Sequence, residues 1–143
     1  MGLSSIRAGN RDKEGMMRIL IVEDEFIIAE DLRLTLQNFG HEVVSIVSSG
    51  EKAIDYADKF TPDIIFMDIL LDGEINGIDA AIKIREKYTI PIIFCSAYID
   101  KVTQKETTQV KPGFFISKPV EESKIKIALS NFIGHKLKAN LAI

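Results

Sequence analysis

The chain has 143 residues, which suits one domain and does not comfortably hold two. Hydrophobic residues make up 46% and charged residues 27%, so the chain can build a core, and wholesale disorder is excluded. The net charge of −3 gives no electrostatic footprint for nucleic acid, and the single cysteine, Cys95, excludes a disulfide framework and a cysteine-rich zinc site.

The two ends of the chain differ from its middle. Residues 1–16 are polar and lack the apolar stretch of a secretory signal, which indicates a flexible or expression-derived leader. We expect a domain over residues 17–139 and a short tail over 140–143. No apolar run reaches the roughly 18–20 residues of a membrane-spanning helix, so we predict a cytoplasmic protein without a membrane partner.

The predicted elements begin with a short, continuous apolar run over 18–22, which fits a strand buried on both faces. Apolar residues at helical spacing follow, and Gly40 ends this first helix as a left-handed cap. A second strand is predicted over 42–47. Ser48 and Glu51 then have the spacing of a capping box, which predicts that the second helix begins at Ser48.

The second half of the chain repeats this alternation. A third buried strand is predicted over 64–67, and a loop rich in Asp and Gly leads to the third helix. A fourth strand covers 91–95, a polar segment over 100–109 predicts a weak helix, and a fifth strand over 113–117 precedes the last helix. Five apolar strands separated by helices predict an α/β fold with a parallel sheet covered on both faces.

Polar side chains stand where four of the predicted strands end. In chain order they are Glu23 and Asp24 after the first strand, Asp68 after the third, Ser96 after the fourth and Lys118 after the fifth. Taken singly, Asp24 and Ser96 fit helix caps. Asp68 alone fits a turn, and Lys118 alone fits a solvated surface position. Together they predict one site, because the carboxyl ends of parallel strands meet at one edge of the sheet.

The three carboxylates of this edge would repel one another and raise one another's pKa values. A divalent cation would make the cluster tolerable. Oxygen ligands without cysteine or a suitable histidine select Mg²⁺, Mn²⁺ or Ca²⁺.

Four motifs carry this pattern in order: ILIVEDE around Glu23, IIFMD ending at Asp68, Ser96-Ala97 and Lys118-Pro119. Together they resemble the receiver domain of two-component response regulators, over residues 19–139. The resemblance implies a flavodoxin-like (βα)5 fold, a doubly wound parallel five-stranded sheet with strand order 2-1-3-4-5. That order agrees with the alternation predicted above.

The resemblance also implies a role for each site residue. Asp68 would be the phosphoacceptor, taking a phosphoryl group from a sensor histidine kinase or a phosphotransfer protein. The implied ligands of Mg²⁺, with Mn²⁺ as a substitute, are Glu23, Asp24, Asp68 and the backbone carbonyl of Leu70. Such a domain is a signalling module rather than an enzyme, and it catalyses only its own phosphorylation and dephosphorylation.

Lys118 would pair with Asp68 and then with the phosphoryl oxygens, and the Lys118–Pro119 bond would be cis. Ser96 would donate its hydroxyl to a phosphoryl oxygen. Ser96 and Phe115 would form a switch, in which the aromatic ring turns inward after phosphorylation and changes a surface for an unknown downstream protein. Residues 100–112, together with Phe115 and the Lys-rich last helix, are the expected partner surface.

The loop after Asp68 departs from many receivers. Asp72 stands where proline is common, and Gly77 comes one residue late. This variant resembles receivers that are attached to, or work beside, sensor histidine kinases with PAS domains. We expect Asp72 and Glu74 to alter metal affinity or the lifetime of the acyl phosphate. The Asp and Arg that mark the dimer face of winged-helix regulators are missing, so we predict a monomer or weak dimer that does not bind nucleic acid directly.

The sequence also bears on three other interpretations. A haloacid-dehalogenase-like phosphohydrolase needs two aspartates one residue apart and a cap domain, whereas Asp68 and Asp72 are separated by three residues. A flavin- or nucleotide-binding module conflicts with the acidic first loop, 23–25, which lacks glycines and would repel a phosphate. A receiver that acts only through protein contacts, without phosphorylation, stays an alternative.

Overall fold

The computed structural model describes residues 15–97 and 100–141, with side chains as far as residue 134. Over these residues five parallel strands alternate with five helices, and the strands form one sheet in the order 2-1-3-4-5. The predicted doubly wound, flavodoxin-like topology is therefore confirmed. The strands are β1 Arg18–Val22, β2 Glu42–Val47, β3 Ile64–Asp68, β4 Ile92–Ser96 and β5 Gly113–Ser117, and the helices are α1 Phe26–Asn38, α2 Gly50–Phe60, α3 Gly77–Arg85, α4 Lys101–Thr107 and α5 Glu122–Leu141.

The predicted leader, residues 1–16, lies outside the described residues up to position 14, and so do the last two residues of the predicted tail. In the described part of the chain, none of the helices combines the length and the apolar character that crossing a membrane demands.

Helices cover both faces of the sheet, which explains why its strands are almost continuously apolar. Every residue of β3 and β4 is buried. On one face, Leu36 of α1 and Leu129 of α5 share a core cluster with Phe66. On the other face, Ala57 of α2 and Ile84 of α3 belong to a second cluster. The two clusters fix the sheet between the helices and leave the strand ends as its open edge.

The helix boundaries follow local backbone signals, with one correction. Gly40 adopts a φ of 91°, as expected for a left-handed residue that ends α1. The cap of α2 is Ser49, and the prediction of Ser48 is wrong. Ser49 has extended backbone angles, and its side chain accepts a hydrogen bond from the Lys52 amide at 3.2 Å. Ser48 and Ser49 carry the same hydroxyl group, so the sequence alone does not distinguish them as caps. The Glu51 side chain does not complete a capping box but contacts the loop after β3.

Candidate functional site

The predicted site residues meet at the carboxyl edge of the sheet. Strands β1 and β3 are neighbours, which brings Glu23 and Asp24 beside Asp68. Among the described residues, these three form the group of acids able to share a metal ion, with one oxygen of each within 4.8 Å of the others. Glu23 and Asp68 are only 6% exposed, whereas Asp24 lies nearer solvent. Two buried acids at one edge require a positive charge.

Lys118 supplies such a charge. Its ammonium group donates to Glu23 Oε1 at 2.8 Å and to Asp68 Oδ2 at 3.0 Å. The Lys118 amide also donates to the Ser96 carbonyl at 2.8 Å, which ties the end of β5 to the end of β4. The Lys118–Pro119 bond is cis, as expected.

The pairing of Lys118 with Asp68 is confirmed, but its pairing with Glu23 was not predicted. The available signal was the strand order, which places the ends of β1 and β3 next to each other and therefore both within reach of one long side chain. The contact between Glu23 and Lys118 could have been predicted from that strand order and from the length of the lysine side chain.

The electrostatics of the pocket favour a cation. Burial raises the pKa of Glu23 to about 7, the hydrogen bond from Lys118 opposes this shift, and the charge of Asp68 adds to it. Burial lowers the pKa of Lys118, but its hydrogen bonds to the two acids outweigh that effect and raise the pKa above its ordinary value. With all groups ionised, three carboxylates and one ammonium leave a net charge of −2.

The donor set fits a hard divalent cation such as Mg²⁺. Three carboxylates contribute oxygen, the ligand atom that Mg²⁺ prefers. Asp24 also lines a depression of about 270 Å³ together with Leu70, the residue whose carbonyl the sequence suggested as a ligand. Asp24 is not the cap of α1, since that position belongs to Glu25. Among the described residues, Asp72 and Glu74 are not in the acidic group.

Ser96 lies at the end of β4 and is 1% exposed. No described residue forms a hydrogen bond with its hydroxyl, so a buried polar group at the end of β4 has unused bonding capacity. Phe115 pairs in register with Phe94 on the neighbouring strand and packs, half-buried, against the second core cluster. Ser96 thus lies at the carboxyl end of β4, and Phe115 lies within the neighbouring strand β5.

The loop after β3 is held close to Asp68. The Leu70 amide donates to Asp68 Oδ1 at 3.3 Å, and the Gly77 amide donates to the Ile69 carbonyl at 2.8 Å. An added Cβ on Gly77 would collide with the carbonyl oxygen of Asp68. Glycine at position 77 therefore lets α3 begin directly against the backbone of the central acid.

Comparison with known proteins agrees with this geometry. Residues 19–130 match the family described as the response regulator receiver domain. Phyllosphere-induced regulator PhyR of Methylorubrum extorquens is 31% identical over 113 residues, which cover 78% of this chain and 42% of PhyR. Transcriptional regulatory protein PdtaR of Mycobacterium tuberculosis is 31% identical over 119 residues, which cover 80% of this chain and 58% of PdtaR. The chain thus spans about half the length of these relatives.

The fold also matches solved structures. The signal receiver domain of a modulated diguanylate cyclase from Desulfovibrio desulfuricans G20 has a TM-score of 0.77 and 32% identity, and the match covers 87% of this chain and 98% of that one. The family match spans most of the sheet, and the acids and the lysine of the pocket lie within it. The chain therefore belongs to the response regulator receiver domains, which are signalling domains rather than classical enzymes.

Proposed function

We propose that residues 17–139 act as a phosphoacceptor domain in a two-component phosphorelay. Asp68 takes a phosphoryl group in a Mg²⁺-dependent reaction, and the modified domain changes a protein-interaction surface. The observation that carries the proposal is Lys118, whose ammonium group donates to Asp68 at 3.0 Å and to Glu23 at 2.8 Å. A buried aspartate with a cationic side chain at hydrogen-bond distance, beside two further acids, suits transfer of an anionic group.

Glu23, Asp24, Asp68 and the carbonyl of Leu70 would hold the Mg²⁺ ion. When bound, Mg²⁺ supplies positive charge that offsets the developing charge on the phosphoryl oxygens. The net charge of −2 that the three acids and Lys118 carry when ionised equals what a divalent ion balances. Mn²⁺ has the same charge and accepts the same oxygen ligands.

The chain's own residues then carry the transfer. A carboxylate oxygen of Asp68 forms a bond to phosphorus while the bond between phosphorus and the donor's histidine nitrogen breaks, and the electron pair leaves with the imidazole. The N–H groups of Lys118 turn from Asp68 Oδ2 toward the phosphoryl oxygens. The Ser96 hydroxyl, which has no hydrogen-bond partner among the described residues, donates to another phosphoryl oxygen. The product is an acyl phosphate on Asp68.

The donor in this proposal is a histidine kinase or a phosphotransfer protein. Exposed apolar residues beside the pocket support a protein donor, since Phe26 is 75% exposed and Ile27 is 81% exposed at the start of α1. The acidic, glycine-containing loop after Asp68 supports the finer assignment to receivers that work with PAS-containing sensor kinases. The choice between acetyl phosphate and a phosphorylated protein as the phosphodonor tests the first of these assignments.

Incubation with acetyl phosphate should add one phosphoryl group to the wild-type chain only when Mg²⁺ is present. Asp68→Asn should take up none, because the amide removes the nucleophilic oxygen while it keeps the size of the side chain. Intact-mass spectrometry measures the adduct, and lability to hydroxylamine identifies it as an acyl phosphate. Asp55→Asn is the matched control, since Asp55 is an exposed acid of α2 outside the acidic group, and it should be phosphorylated like the wild type.

An adduct on Asp68→Asn of the same yield would contradict Asp68 as the acceptor. A chain that takes no phosphoryl group from acetyl phosphate or from a phosphorylated histidine-bearing protein would instead be a receiver that acts through contacts alone. Uptake from the protein donor but not from acetyl phosphate would support the proposed kinase partner.

The switch is proposed at Ser96 and Phe115. Mg²⁺ with beryllofluoride, which mimics a bound phosphoryl group, should change hydrogen exchange within residues 96–120 and most strongly around Phe115. The reason is that the Ser96 hydroxyl gains a partner and the half-buried Phe115 ring follows it into the vacated space. Unchanged exchange across 96–120, at saturating beryllofluoride, would remove the switch from the proposal.

A further inference from the structure

The loop after β3 is fastened to the start of α2. Glu51 lies in the first turn of α2, and its Oε2 accepts a hydrogen bond from the Glu74 amide at 3.1 Å. The two residues are 23 positions apart in sequence. A hydrogen bond from the Glu51 backbone, followed by the bond from Glu74, lowers the pKa of the Glu51 carboxyl, so the group is ionised at neutral pH.

Two further contacts join the same segments. Gly73 has a φ of 94°, and a Cβ at that position would lie 2.5 Å from Glu51 Oε1, so only glycine lets the loop approach the carboxylate this closely. Ser49, the cap of α2, forms a parallel β-bridge with Asp72. The loop is therefore attached to α2 over consecutive residues rather than at one point.

The attached loop also forms a wall of the metal site. Leu70, Gly73 and Glu74 line one depression, and Asp24 lies on the same depression. At the other end of the loop, the Leu70 amide donates to Asp68. A loop that is fixed by Glu51 at one end and by Asp68 at the other holds the Leu70 carbonyl between them.

We propose that Glu51 is a positioning residue, whose carboxylate fixes the loop 69–76 so that the Leu70 carbonyl and Asp68 are preorganised for a divalent cation. This inference rests on the proposed function, because it assigns Glu51 to the same Mg²⁺ site. Glu51 itself contributes no ligand atom. Its effect runs through backbone amides of the loop, in the way that outer groups orient the ligands of a metal.

The expected result is a weaker Mg²⁺ site in Glu51→Ala. Isothermal titration calorimetry on the full chain should show a Kd for Mg²⁺ that is raised about tenfold, the lower end of the effect of losing a hydrogen bond to a charged group that orients a metal ligand. Glu51→Gln, which keeps an oxygen acceptor for the Glu74 amide, should recover part of this loss.

Asp55→Ala is the matched control. Asp55 lies one turn further along α2, is exposed and carries the same charge, and no hydrogen bond or ion pair is found for it in the described residues. Its variant should keep the wild-type Kd. Equal Mg²⁺ affinities for Glu51→Ala and Asp55→Ala would overturn the inference, since charge alone would then account for any change.

Hydrogen exchange in metal-free protein separates this inference from the proposed function. The amides of Glu74 and Ile75, which both interact with the Glu51 carboxylate, should exchange faster in Glu51→Ala than in the wild type, while the core strands stay unchanged. Faster exchange with an unaltered Mg²⁺ Kd overturns the positioning role and leaves the proposed function standing. A wild-type chain that binds no Mg²⁺ overturns both.

Discussion

Lys118→Met should slow phosphorylation of Asp68 about 100-fold at saturating Mg²⁺, the loss that follows removal of one preorganised donor from developing negative charge. Methionine keeps the length and the apolar stem of the side chain but removes the ammonium that contacts Glu23 and Asp68. The initial rate of acyl phosphate formation, followed by intact-mass spectrometry with acetyl phosphate, measures the effect. The loss should be in the rate at saturating donor, because Lys118 acts on the transferred group.

The control for this variant is Lys124→Met, which removes the same charge from α5. Lys124 is a partly exposed lysine that approaches Glu121 at 3.6 Å and contacts no residue of the acidic group. Its rate should equal the wild-type rate. If Lys118→Met were phosphorylated as fast as Lys124→Met, Lys118 would be a structural counter-ion and not a participant in the transfer.

Gly77→Ala should lower the free energy of unfolding by about 2 kcal/mol, although alanine is normally the better helix residue. The added methyl group would collide with the Asp68 carbonyl oxygen and lie 2.9 Å from Met67 Cγ, so α3 or the end of β3 must shift. Urea denaturation monitored by circular dichroism measures the change. The same shift moves the backbone that carries Asp68.

Gly134→Ala should change the free energy of unfolding in the opposite direction. Position 134 lies inside α5, and a Cβ there would meet no described atom within 4 Å. This variant should raise the free energy of unfolding by about 0.5–1 kcal/mol, through the helix preference of alanine. Equal stability of the two variants would show that the close approach at Gly77 costs nothing.

The sheet and the position of its site could be predicted because their signals are local. Each strand is a short apolar run, and the residue that ends it is polar, so Asp68 and Lys118 could be placed at one edge before any contact was known. The strand order came from the resemblance to a family, since alternation alone allows more than one order of parallel strands.

The details that escaped prediction depend on long-range contacts or on equivalent neighbours. Either Ser48 or Ser49 could accept a hydrogen bond from the amide three residues later in the chain. The backbone that follows the preceding strand decides which of the two hydroxyls does so. Glu51 accepts a hydrogen bond from a loop residue 23 positions away in sequence, which no local pattern indicates. The local sequence fits Glu51 equally well to a capping box. Such choices are settled by tertiary packing.

The ion pair between Glu23 and Lys118 joins residues 95 positions apart, and the pair with Asp68 spans 50. A growing chain exposes its acids before the lysine has been synthesised, and closing so long a segment carries a cost in chain entropy. The contacts of Lys118 with both acids therefore form only when β5 has joined the sheet. A domain without its last strand would hold two acids that lack the positive charge that offsets them in the folded sheet.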